Sequence, residues 1–181
     1  MTDSQRQSDS QRQADSQRQA DPQQQTQPSF QIEKIFVKDL SLEIPNAPQV
    51  FLEQVQPQLE VQIATAVAKF AENYFEVTVS ATVTAKAGER TVFLAEAVQA
   101  GIFSISNVPQ QDLDPLLSVG CPTILFPYLR ETISDLVIRG GFPPVLLSPV
   151  SFEALYMQRL QQQQQPNAGK PPGGPQIEIA R

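Results

Sequence analysis

Between residues 30 and 44 apolar and polar side chains alternate. Phe30, Ile32, Phe36, Leu40, Leu42 and Ile44 fall on one side, and Gln31, Glu33, Asp39, Ser41 and Glu43 on the other. A two-residue period is that of a strand with one buried face, and here the polar face is acidic. Pro45 and Pro48 end it. Leu59, Val61 and Ile63 then alternate with Glu60 and Gln62. Phe75, Val77, Val79, Ala81, Val83 and Ala85 alternate with Glu76, Thr78, Ser80, Thr82, Thr84 and Lys86, the clearest strand in the chain. Residues 64 to 72 are alanine-rich and also fit a helix, so 59–86 reads either as one bent strand or as two strands around a helical turn. Ala87-Gly-Glu-Arg90 predicts a hairpin turn, Thr91 to Gln99 the returning strand, and Gly101 to Ile105 its continuation or a fourth strand.

After residue 107 the period lengthens. Asp114-Pro115 predicts a helix start, interrupted by Gly120 and Pro122. From Thr123 onward Leu125, Leu129, Ile133, Leu136 and Val137 recur at three- and four-residue spacing until Gly140-Gly141 closes the helix. Phe142-Pro-Pro-Val-Leu-Leu-Ser-Pro149 predicts an extended apolar loop. Ser151 then caps a second helix, with Phe152, Leu155, Tyr156 and Leu160 on one face and Met157 at its edge. Strands first and helices last predict an α+β domain, an antiparallel sheet with helices on one face.

Both ends differ in character from this middle. Residues 3 to 20 hold three copies of a six-residue polar unit beginning at Asp3, Asp9 and Asp15, followed by a glutamine-rich stretch. Such a unit buries too little apolar surface to offset the entropy of ordering, which predicts a disordered tail over 1–29. Gln161 to Gln165 lead into Pro166-Asn-Ala-Gly-Lys-Pro-Pro-Gly-Gly-Pro175, a linker composition, so the folded domain is expected over 30–165 and a flexible tail over 166–181.

The net charge of −6 belongs to the domain rather than to the tails. It disfavours nucleic acid and anionic membrane surfaces and favours a basic protein partner. With no basic, apolar leader and no run of about 20 apolar residues, no membrane insertion is expected. A single cysteine, Cys121, forms no intrachain disulfide and fits a reducing, cytoplasmic setting. The chain has no histidine, which removes the commonest general base and metal ligand. Cys121 lies between Gly120 and Pro122 with no basic neighbour to activate it, and reads as a packed small side chain. Gly169-Lys170 fails as a phosphate loop because position 164 is Gln and position 171 is Pro. The carboxylate pairs Asp112/Asp114 and Glu131/Asp135 fit caps and solvated faces better than acid–base or metal chemistry. No enzyme, no cofactor and no metal site are expected.

Two features stand out. The strand face bearing Asp39 and Glu43 is left uncovered if the helices take the other face, and it reads as either a solvated surface or a docking face for a basic partner. Val50, Phe51, Leu52 and Val55 occupy one proline-bracketed loop, and Phe142, Val145, Leu146 and Leu147 another. Apolar loops either close over a core or line a groove that accepts apolar segments of another molecule.

The stretches Phe30-Gln-Ile-Glu-Lys-Ile-Phe-Val-Lys-Asp-Leu-Ser-Leu-Glu-Ile-Pro-Asn-Ala-Pro48, Gly101-Ile-Phe-Ser-Ile105, Cys121-Pro-Thr-Ile-Leu-Phe-Pro-Tyr-Leu-Arg-Glu131 and Phe142-Pro-Pro-Val-Leu-Leu-Ser-Pro-Val-Ser-Phe-Glu-Ala-Leu-Tyr156 strongly resemble the SecB family of bacterial protein-export chaperones. The resemblance implies a four-stranded antiparallel sheet with two helices, assembled as a homotetramer, a dimer of dimers. It also implies an ATP-independent holdase that keeps preproteins unfolded and passes them to the SecA translocation ATPase. Carried over by position, Asp39, Glu43, Leu94 and Glu96 match the acidic surface that contacts SecA. Phe51, Val55, Leu59, Val61, Phe142, Leu155 and Tyr156 match the groove for unfolded clients, with Val55 standing where the family often has tryptophan. The repeats near the start and Gln176-Ile-Glu-Ile-Ala-Arg181 fall outside the family pattern. Two other readings stand beside this one: a small-ligand carrier or enzyme using the groove as a pocket, and a chaperone of the same family dedicated to a single partner such as an antitoxin.

Overall fold

The computed structural model describes residues 27–53, 56–164 and 176–177. Strand β1 (Ser29–Glu43) leads through a 3-10 turn (Gln49–Leu52) to β2 (Gln58–Ala71), β3 (Tyr74–Ala87) and β4 (Arg90–Ser106). A helical run follows in three parts, α1 (Gln110–Pro115), a π-helical turn (Leu116–Gly120) and α2 (Cys121–Arg139). After an extended segment comes α3 (Phe152–Gln164). Every strand pair is antiparallel, in the spatial order β1-β4-β3-β2, and a two-residue strand β5 (Gln176–Ile177) pairs beyond β2. The α+β class and the four-stranded sheet with helices on one face are as expected; β5, inside the stretch expected to be a tail, is an addition. The repeats of residues 3–20 and the linker 166–175 lie outside the described residues.

The alanine-rich stretch 64–72 resolves as strand, not helix. Ala64, Ala66 and Ala68 stand opposite Ser80, Thr78 and Glu76, and this cross-strand pairing outweighs the helix preference of alanine. The chain reverses through Glu72-Asn73, where Asn73 takes a left-handed φ of 63° that asparagine tolerates. In β3 every second residue from Phe75 to Ala85 is buried, and the intervening Thr78, Ser80, Thr82 and Thr84 face outward. β4 is one continuous strand of 17 residues, so Gly101 to Ile105 is its continuation.

β1 departs from the simple alternation read in the sequence. Its register with β4 shifts between Ile32 and Lys34 and again between Val37 and Asp39, leaving Glu33 and Lys38 as extra residues. Each bulge reverses which parity faces inward. Ile32, Ile35, Val37, Leu40 and Leu42 pair with the helix-side positions of β4, whereas Phe36 pairs with Ala100 on the outer face. Phe36, expected to point with Ile32 and Leu40, therefore sits on the face that carries Asp39, and Glu33 occupies a bulge.

The helical run covers the opposite face. Leu117, Cys121, Leu125, Leu129, Ile133 and Val137 recur every four residues and are all buried, the ridge that an i±4 row makes along a helix. Each such side chain contributes about 1.5–3 kcal/mol through burial. The expected start at Asp114-Pro115 is corrected: the helix begins at Gln110, and Gly120 and Pro122 do not break it. Pro115 and Pro122 lack the N–H that an α-helix needs and flank the wider π turn, where the i→i−4 ladder is already interrupted. Thr123 Oγ1 donates to the Val119 carbonyl at 2.7 Å across the same junction. α2 ends as read. Gly141 takes φ of 87°, its N–H donates to the Ile138 carbonyl at 2.9 Å, and the Phe142 N–H donates to the Val137 carbonyl at 3.2 Å, a Schellman closure. Ser151 caps α3 by accepting the Ala154 N–H at 3.2 Å, and Phe152 meets Phe126 edge-on with ring centroids 5.7 Å apart.

Where α2 crosses β4 the two approach closely over Gly101. A Cβ there would lie 2.7 Å from Phe103 Cε2 and 2.9 Å from Leu125 Cδ2, both in fully buried side chains. Gly101→Ala should therefore lower stability by about 1–3 kcal/mol, the cost of overpacking a filled core. A chemical-denaturation midpoint equal to that of the parent would show that the helix does not press on the sheet at this point.

Candidate functional site

Beyond the end of α2 the sheet is covered by loops instead of helix. Between the loop of Val50, Phe51 and Glu53 and the loop from Gly141 to Val145 opens a groove of about 550 Å³. Its floor is Leu59 of β2 with Val92 and Phe93 of β4, and its walls include Phe51, Phe142 and Val145. The Phe142 ring stands between Phe51 and Phe93, with centroids 5.3 Å and 4.9 Å away. Phe51 is 49% exposed at the mouth, so the aromatic cluster is open to solvent on one side. Glu53 lies at the rim and pairs with Arg90, whose guanidinium it holds above the usual range by hydrogen bonding and by charge. That pair ties the first loop to the β3–β4 turn.

Of the expected groove residues, Phe51, Leu59 and Phe142 meet here. Val61 is buried in the core and does not line the groove. Val55 lies outside the described residues. Leu155 and Tyr156 are elsewhere, on α3 beside the π turn: Leu155 packs on the core, and Tyr156 Oη donates to Asp114 Oδ2 at 2.8 Å. That bond raises the phenol pKa. The separation has a physical cause. Phe152 anchors α3 on Phe126, and Arg159 reaches Thr65 Oγ1 at 3.4 Å, six residues along β2 from Leu59, about 20 Å at strand rise.

The sequence reading missed Val92, Phe93 and Glu53. A signal was present in Val92-Phe93-Leu94, three apolar residues that break the alternation of β4. The register there shifts between Ala85 and Lys86, and Val92 and Phe93 are both buried in consequence.

The outer face of the same sheet end is polar. Glu43 of β1 stands opposite Leu94 of β4, Ser41 opposite Glu96, and Asp39 opposite Val98. Asp39, Glu43, Leu94 and Glu96 thus share one face, with Asp39, Glu43 and Glu96 exposed. Next to them β3 presents Thr82 and Thr84, and Thr82 Oγ1 donates to Glu96 Oε1 at 3.0 Å. Short hydroxylated side chains keep this acidic surface flat.

Little else offers chemistry. Asp114 accepts from Tyr156, and Asp135 holds Arg139 at 2.6 Å, so one carboxylate of each noted pair serves structure. No group of three or more His, Cys, Asp or Glu among the described residues is placed to hold a metal. No described helix is long and apolar enough to cross a membrane. Cys121 is fully buried, and desolvation pushes its thiol up to about 12.

Comparison with known proteins gives one consistent match. The family model described as preprotein translocase subunit SecB matches residues 23–163. A protein-export protein SecB of Chromobacterium violaceum is 63% identical over 134 residues, covering 74% of this chain and 89% of that protein. One of Methylobacillus flagellatus is 57% identical over 138 residues, covering 76% and 88%. Among solved structures, a SecB-like chaperone of Mycobacterium tuberculosis in complex with a peptide from the HigA1 antitoxin superposes with a TM-score of 0.55 at 21% identity, covering 67% of this chain and 91% of that one. It shares the fold.

The state of Cys121 is directly measurable. A thiol-specific reagent at pH 8 should leave the native protein unlabelled and modify it promptly in denaturant. Because burial raises the folded pKa above the unfolded one, the thiol's contribution is full below the unfolded value of about 8.5 and is lost as pH rises from there towards 12. Alkaline destabilisation should accordingly be shallower in Cys121→Ala, and prompt labelling of the native protein would refute the buried assignment.

Proposed function

Because the chain belongs to the SecB family of protein-export chaperones, which are not enzymes, we propose that it is an ATP-independent holdase that binds unfolded preproteins in the Phe51–Leu59–Phe142 groove and delivers them to the SecA motor. The observation that carries this reading is the solvent-open aromatic cluster of Phe51, Phe142 and Phe93. Such a groove binds exposed apolar stretches by burying them, at roughly 25 cal/mol per Å², and needs no nucleotide for it. Binding only has to compete with the client's own folding and aggregation. Transfer is assigned to the opposite face, where Asp39, Glu43 and Glu96 surround Leu94 and suit a basic, partly apolar segment of the motor. The peptide held by the Mycobacterium tuberculosis SecB-like chaperone accords with a polypeptide ligand for this fold.

A tetramer, a dimer of dimers, is the proposed assembly. β1 is an edge strand of 15 residues whose outer edge has no strand partner among the described residues, and Phe30, Ile32, Val37 and Leu40 on its helix side are each 39–47% exposed. An edge of that length and polarity is a template for pairing with a second copy. Several grooves on one particle would then add avidity for a long client.

In the decisive experiment a denatured, signal-bearing preprotein is diluted into buffer with this protein and no nucleotide. Near-stoichiometric suppression of aggregation is expected. Phe142→Asp should weaken client affinity by about tenfold or more, as loss of a buried aromatic anchor does. Asp39→Lys and Glu43→Lys should abolish binding of the motor while leaving suppression intact. Loss of both activities in the charge variants, or of neither, would count against the division between the two faces, and unaltered aggregation with the parent protein would dismiss the holdase reading.

A further inference from the structure

β2 is the far edge of the four-stranded sheet, 14 residues long, and along most of it the outward N–H and C=O groups have no strand partner among the described residues. The exception is β5, where Ile177 stands opposite Val61 and Gln176 opposite Gln62, antiparallel. Val61 is two residues from Leu59, on the floor of the groove. The stretch Gln176-Ile-Glu-Ile179 alternates polar and apolar residues, a strand pattern of the kind that extended peptides use to add to a sheet edge. Eleven residues, 165–175, join it to the end of α3, and they span at most about 36 Å. α3 itself is already moored beside β2 through Arg159 and Thr65.

We infer that the strand Gln176–Ile177 is a built-in occupant of the β2 edge, a tethered substitute for client that an incoming polypeptide must displace. This rests on the proposed use of the adjacent groove by clients. A short tether presents its segment at an effective concentration of order millimolar, so even a weak strand pairing holds part of the population closed. Long clients, which engage several apolar sites at once, overcome that competition; short or transiently exposed segments do not. The device sets a threshold on what is captured, and it acts through backbone pairing.

Three forms of the full-length protein test it: the parent, one lacking residues 176–181, and Ile177→Pro, which removes a backbone donor from the pairing segment. The first readout is binding of fluorescently labelled, reduced and carboxymethylated α-lactalbumin, a polypeptide that stays unfolded. The second is amide hydrogen exchange at Val61–Ile63, which needs no client. Both variants should bind the probe about three- to tenfold more tightly than the parent and should exchange faster at Val61–Ile63. Unchanged exchange, or faster exchange without a gain in affinity, would overturn the inference. If none of the three forms binds the probe, the holdase reading falls, and the exchange data alone then decide whether Gln176–Ile177 occupies the edge.

Discussion

The contact between the helical run and the sheet is the one on which the other features depend. A four-stranded sheet has two faces, and the helices among the described residues cover one of them. The four-residue ridge from Leu117 to Val137 fills that face along β3 and β4 and stops at Gly141. Where the ridge stops, loops take over, and a loop cannot seal apolar surface as completely as a packed helix does. The groove is therefore the unfinished end of the core. The acidic surface is the other half of the same circumstance, since a face without helix has to carry side chains that water accepts.

The alternations in 75–86 and 91–105 were legible because both strands are central and each second side chain is buried. The helix 123–141 was legible from its repeat and its terminal glycine pair. The sequence could not reveal the two bulges in β1, because Glu33 and Lys38 are ordinary strand residues until a partner's register makes them surplus. Phe36 was misplaced for that reason. The start of the helical run was masked by Pro115 and Pro122, which read as breakers in an α-helix and are accommodated only because the backbone widens between them.

At the candidate site the picture is similar. Phe51 and Phe142 were legible because loop composition marks them as apolar where polarity is usual, whereas Leu59 is one alternating strand residue among several and only the resemblance singles it out. The resemblance places Leu155 and Tyr156 in the groove, whereas the structure holds them on α3 beside the π turn through Phe126–Phe152 and Tyr156–Asp114, contacts between positions distant in sequence. The outer-face set of Asp39, Glu43, Leu94 and Glu96 needed both a parity within each strand and a register between strands. Parity was visible in the sequence; the register came only with the pairing of Glu43 and Leu94.

In β4, Phe93 lies on the floor of the groove, and its neighbour Leu94 lies on the opposite face among the carboxylates. Two surfaces of opposite chemistry are thus written into consecutive codons. Substitution can tune either one alone, because the pleat sends adjacent side chains apart. Insertion or deletion cannot, because a one-residue slip that no bulge absorbs would exchange the two surfaces along the strand. Over evolutionary time this strand should diverge in letters while its length stays fixed.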